Sequence, residues 1–165
     1  MDVVAIGISH LAGIAERRVY HMLSVFDPES QLNPFLSPQP GLHSGLMIAQ
    51  YTAAAACNEL VGLATPASVA NISTSAGMED YNSFGPRAAA KAARGVSLAR
   101  SVVAIELLCA AQAIEAHRPL KTGDRLERAH AKIRGRVAAL TVDRSPTPDI
   151  EAIVALIDEG AFDDE

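Results

Sequence analysis

Between Ser30 and Met78 lie forty-nine residues with a single charge, Glu59, and this near absence of charge constrains the chain more than any other feature. Within it, residues 42–58 are uncharged yet hold His43, Ser44, Gln50, Tyr51 and Thr52, too polar a set for a bilayer span. A helix that is apolar nearly all round has to be covered on every side. One domain of 165 residues has too little mass to enclose such a helix and the apolar 102–114 stretch as well. Burial by other chains is the expected solution, so the chain reads as an obligate oligomer.

Composition sets the class. The chain has 30 alanines, 4% aromatic residues and no Trp, which points to helices packed closely through small side chains, because Ala has the best helix propensity. Hydrophobic residues at 49% and charged residues at 20% describe a globular chain rather than a disordered one. The expected fold is all-α, a single domain over 1–165 whose long helices contribute to a multi-subunit helical bundle. Cys57 and Cys109 both sit in apolar helical context and are expected to be free thiols in a reducing compartment. The start, Met1-Asp2-Val3-Val4, lacks a basic region followed by a long apolar run, so a cytoplasmic protein without a signal peptide is expected.

Charge is unevenly placed. Residues 87–136 hold 11 of the 14 Lys and Arg against four acids, a local balance of +7 within a net charge of −5. No aromatics are interleaved to stack on bases and no DNA-binding motif is visible, so this stretch reads as a solvated helix face rather than a nucleic-acid surface.

Periodicity orders the elements. Val4, Ile8, Leu11, Ile14, Ala15, Val19 and Met22 predict an amphipathic helix over 3–23, with Glu16-Arg17-Arg18 on its polar side. A loop rich in proline (Pro28, Pro34, Pro38, Pro40) follows and closes at Gly41. Ser44 is the expected cap of a second helix that runs to Ala64 and stops before Pro66. Residues 66–82 form a polar loop of almost no charge, long enough to be functional or disordered; Val69, Ile72 and Met78 favour an ordered, functional loop. Asn82 or Ser83 is expected to cap a third helix that reaches His117 and spans about 50 Å. Helices over 124–140 and 148–157 complete the chain, the last with Thr147 as N-cap and Pro148 at its first position.

Chemistry-bearing motifs are sparse. There is no Cys/His pair at metal-ligand spacing, no Gly-rich phosphate loop and no Gly-x-Ser-x-Gly elbow. Each of the five histidines (10, 21, 43, 117 and 130) reads as a surface or capping residue. The candidate site is the loop around Glu79 and Asp80, adjacent carboxylates in an otherwise uncharged stretch. Such a carboxylate in a low-dielectric pocket can move protons. Equally, the pair can be plain acids at a helix N-terminus.

Four segments carry a resemblance. They are Gly13-Ile14-Ala15-Glu16-Arg17-Arg18, Pro40-Gly41-Leu42-His43-Ser44-Gly45-Leu46-Met47-Ile48-Ala49-Gln50, Pro66-Ala67-Ser68-Val69 and Thr74-Ser75-Ala76-Gly77-Met78-Glu79-Asp80. With 104–112 and 148–151, they resemble the C-terminal portion of the aromatic amino acid ammonia-lyase family, its histidine ammonia-lyases above all. The resemblance covers essentially this whole chain but only about the last third of a family member. It implies elimination of ammonia from an aromatic amino acid to give an α,β-unsaturated acid. It also implies an electrophile, 4-methylideneimidazole-5-one (MIO), formed from an Ala-Ser-Gly tripeptide that this sequence does not contain. The family's catalytic tyrosine base and the arginine that grips the substrate carboxylate likewise belong to the part without a counterpart here.

By the same resemblance, Glu79 matches a catalytic and substrate-binding glutamate of histidine ammonia-lyases, where phenylalanine ammonia-lyases carry glutamine. Met47 matches a methionine that lines the substrate side-chain pocket, and no residue here matches a cofactor or metal ligand. His43, Thr65 and Met78 depart from the family's usual asparagine, histidine and glutamine. Cys57-Asn58-Glu59-Leu60 and Asn82-Ser83-Phe84-Gly85 are more similar to the phenylalanine enzymes. The resulting expectation is one subunit of a split, hetero-oligomeric ammonia-lyase or aminomutase, inactive alone, whose partner chain bears the MIO. The alternative is a non-catalytic paralogue that scaffolds or regulates a full-length enzyme.

Overall fold

In the computed structural model, residues 1–24, 29 and 31–163 are described; Pro28 of the proline-rich loop, Ser30 and the tail acids Asp164 and Glu165 lie outside them. Five helices follow in order: α1 (Asp2–Leu23), α2 (Met47–Ala64), α3 (Gly85–Ala116), α4 (Asp124–Arg134) and α5 (Thr147–Asp158). No strand is present among the described residues, in keeping with the all-α expectation.

α1, α2 and α3 form the body, joined by ion pairs and small-residue contacts. Arg18 of α1 forks onto Glu106 of α3, and Ile8 of α1 lies beside Gly95 of α3, so α1 and α3 run parallel. Arg94 of α3 bonds Glu59 of α2 at 2.8 and 3.0 Å, and α2 runs antiparallel to both. α5 packs on α3 through the buried Ile153 and an Arg100–Asp158 pair at 3.2 Å. By length and composition alone α3 could cross a membrane. Twelve of its residues, from Ala88 to Ala113, are instead buried within this chain.

The interior is alanine-built: 11 of the 25 buried apolar residues are Ala. This corrects part of the face expected of α1. Ala15 and Val19 are buried as expected, and Ile8 and Met22 pack against the core. Val4, Leu11 and Ile14 instead point outward, about half exposed or more, and Ala5, Ala12, Glu16 and Leu23 complete the inward stripe. The small Ala5, Ala12 and Ala15 let the helices approach closely. Glu16, expected on the polar side, is 5% exposed. It is kept ionised by Arg17 at 2.6 and 2.8 Å and by the Gln50 amide at 2.7 Å, which together hold its carboxyl below the usual range. α2, whose one charged residue is Glu59, buries one face only, through Ala49, Ala53 and Leu60, and leaves Ile48, Tyr51 and Val61 in solvent.

Several boundaries differ from expectation, each for a tertiary reason. α4 ends at Arg134 rather than at Leu140, because Gln112 of α3 takes both backbone groups of Leu140, at 2.9 and 3.1 Å. α2 begins at Met47 without a Ser44 side-chain cap. α3 begins at Gly85 with Phe84 at the cap position; the Ser83 hydroxyl accepts the Gly85 N–H at 3.2 Å, while Asn82 bonds back into the loop. α5 takes in Thr147 as its first helical residue, not its cap. His130 is buried rather than at the surface, with Nε2 3.0 Å from Glu115 and Nδ1 3.2 Å from Arg118. Both cysteines are free, and burial pushes the Cys109 thiol up to about 12, which leaves it inert.

Candidate functional site

The segment ahead of α2 is folded by backbone constraint. Phe35 and Leu36 both take positive φ, 56° and 52°, and the Phe35 carbonyl accepts the Leu46 N–H at 2.9 Å. Gly45, at φ 61°, has to be glycine: a Cβ there would sit 2.4 Å from the Phe35 carbonyl oxygen. The Ser44 and Gly45 N–H groups donate to the Asp143 carboxylate at 2.7 and 2.9 Å. These bonds hold the Asp143 carboxyl below its ordinary range. A carboxylate ninety-nine residues away thus holds the turn ahead of α2, whose first turn has no side-chain cap. Beside this turn is a cavity of about 480 Å³ lined by Tyr20, Leu23, Phe35, Met47, Gln50 and Tyr51. Met47 therefore lines a mostly apolar recess with three polar tips, suited to a ring-bearing side chain.

Glu79 lies elsewhere. The loop 66–82 leaves the far end of α2, and Asp2 at the start of α1 anchors its entry by accepting the Ala67 and Ser68 N–H groups at 3.0 and 3.2 Å. Lys91, itself buried, donates to the Thr65 carbonyl. Further along, Thr74 and Glu79 exchange backbone bonds at 2.8 and 3.3 Å around a tight turn, Ser75–Gly77, with positive φ at all three residues. Glu79 and Asp80 are exposed in this chain. They precede the first residue of α3 by five residues or more, beyond the reach of its dipole, so they are not helix-start acids. Nor does this chain alone enclose them in a low-dielectric pocket.

α2 spans about 27 Å, and Met47 opens it while the Glu79 loop follows its other end. One chain therefore does not bring the two predicted site residues together. Asp143 and Asn71, which help shape these two regions, were not singled out in the sequence, and Asn82 was expected to cap α3 rather than to bond Asn71 and Ile72.

The sequence profile described as aromatic amino acid lyase matches residues 1–135. The chain belongs to the aromatic amino acid lyase family. It is 48% identical over 163 residues to histidine ammonia-lyase of Anaeromyxobacter sp. (strain K), covering 99% of this chain and 32% of that protein. Among solved structures, it matches histidine ammonia-lyase from Trypanosoma cruzi with a TM-score of 0.92 and 39% identity, over 98% of this chain and 31% of that one. It also matches Pantoea agglomerans phenylalanine aminomutase with a TM-score of 0.91 and 28% identity, over 95% and 31%. The chain spans about a third of the length of the relatives it matches.

The residues present do not fit a resident MIO. The sequence has no Ala-Ser-Gly. The nearest approximations are the exposed turn Ser75-Ala76-Gly77, in the wrong order, and His43-Ser44-Gly45, held by Asp143. This lyase-family chain holds the Met47 recess and the exposed Glu79 carboxylate, and not the tripeptide that forms the electrophile.

Proposed function

We propose that this chain is the recognition subunit of a split, MIO-dependent ammonia-lyase or aminomutase acting on histidine or a related aromatic amino acid. The MIO lies on a separate, Ala-Ser-Gly-bearing chain equivalent to the family's N-terminal portion. The two form a cytoplasmic hetero-oligomer of two-fold or tetrameric symmetry, and neither chain is active alone. One observation carries the reading. Met47 and Glu79 sit at opposite ends of α2, both accessible and both on locally ordered backbone, so each is available to complete a site with other chains.

In that site the Met47 recess receives the substrate ring, and Glu79 faces its polar atoms. A carboxylate can pair with an imidazolium or an ammonium group, or accept a proton, where a neutral glutamine could only hydrogen-bond. Covering by a partner strengthens that pairing by excluding water. This favours histidine over phenylalanine.

The test is reconstitution with the Ala-Ser-Gly-bearing chain, assayed by absorbance of the unsaturated acid from histidine, tyrosine and phenylalanine. Glu79→Gln is expected to lower activity on histidine on the order of 10²-fold, the scale of a lost charge or acid–base contact. Unchanged rates on every substrate, with the complex intact, would overturn the role of Glu79. If the chain instead binds a full-length lyase and alters its activity regardless of residue 79, it is a regulatory paralogue.

A further inference from the structure

The loop that carries Glu79 is held without a core. Val69, Ile72, Met78 and Tyr81 are all exposed, Met78 at 85%, so apolar packing within this chain does not fix it. Hydrogen bonds do. Asn71 donates from Nδ2 to the Asn82 carbonyl at 2.6 Å and accepts the Asn82 N–H on Oδ1 at 2.8 Å. Asn82 Nδ2 donates to the Ile72 carbonyl at 2.5 Å. The two asparagines close a ring of backbone across eleven positions. Inside that ring, Thr74 pairs with Glu79 through both backbone groups. Its hydroxyl stands 3.2 Å from Asn82 Oδ1 and 3.4 Å from Glu79 Oε2, so a single proton serves either acceptor over a long bond.

We infer that Asn71, Thr74 and Asn82 are positioning residues for Glu79. The asparagine pair fixes the loop's ends, and Thr74 transmits that geometry to the glutamate. This rests on the reading in which Glu79 faces the substrate, and it gives Asn82 a task unrelated to choosing that substrate. The similarity of Asn82-Ser83-Phe84-Gly85 to the phenylalanine enzymes then reports how the loop is held, not which ring is bound. Histidine specificity and a phenylalanine-like Asn82 are compatible in one chain.

Two measurements test it. On the full chain, Asn82→Ala removes both side-chain bonds of Asn82, and amide hydrogen exchange at Thr74 and Glu79 should quicken about tenfold while α1 and α3 stay unchanged. Asn71→Asp keeps the acceptor for the Asn82 N–H and should quicken it less. In the reconstituted lyase, Asn82→Ala should lower kcat by about 10- to 100-fold with KM within about threefold. Placed on Glu79→Gln, it should add little further loss, because both changes disable one group. Unchanged exchange, or losses that simply multiply in the double variant, would overturn the inference. An assembly that makes neither an unsaturated acid nor a β-amino acid defeats the functional reading, while the exchange measurement still decides whether the clasp exists.

Discussion

The two ends of α2 are built on opposite principles. At the Met47 end, order comes from residues far apart in sequence: Asp143 grips Ser44 and Gly45, Phe35 grips Leu46, and Tyr20 and Leu23 of α1 wall the cavity. At the Glu79 end, every bond from Asn71 to Asn82 is made within the loop, and its apolar side chains face solvent. The first end is complete when this chain folds. The second is shaped but uncovered, as the proposed assembly with another chain requires.

That contrast can be broken most severely at Gly45. Gly45→Ala forces a Cβ against the Phe35 carbonyl at a positive φ, and should destabilise the chain by at least about 3 kcal/mol in denaturant unfolding. A smaller cost would mean that the turn before α2 can move aside. Asp143→Asn comes next and should lower Tm at neutral pH. The sign of its pH dependence follows from its depressed carboxyl. The stabilisation is in place above the ordinary value of 3.8 and is lost as pH falls through it toward the folded value. The Tm gap between wild type and variant should therefore close in melts taken below about pH 4, and a gap that persists there would show that Asp143 acts by shape alone. At the other end, Met78→Ser removes an 85% exposed side chain and should change the stability of this chain by no more than about 0.5 kcal/mol. The same change should weaken assembly with a partner, read by light scattering. A large loss of stability would mean that the loop already has a core.

Element order, the three long helices and the absence of strands were legible because helical period and proline breaks are local signals. The inward face of α1 was not. Helical spacing rightly selected Ala15 and Val19 but also Val4, Leu11 and Ile14, whereas close packing against α2 and α3 turned Ala5 and Ala12 inward in their place. Nor could Glu16 be placed, since its partner Gln50 lies 34 residues away. The end of α4 and the start of α2 were misread for the same reason: Gln112 and Asp143 hold the backbone just outside these helices, at Leu140 and at Ser44 and Gly45, from 28 and 99 residues away. Of the candidate site, the resemblance pointed to Met47 and Glu79, and their separation along α2 was not legible. Spacing in sequence says nothing of which end of a bundle a loop occupies.

The alanine-lined interior has a consequence for how the protein behaves in solution. With the small residues spent inside, the outer sides of α1 and α2 carry Val4, Leu11, Ile14, Ile48, Tyr51 and Val61, and whatever covers them does so mainly by excluding water. Near room temperature that driving force is entropic, so it fades on cooling and grows in strongly excluded salts such as sulfate. The assembly proposed above, if it closes along this seam, should loosen in a cold room and tighten on the bench. A preparation kept on ice would then understate that association.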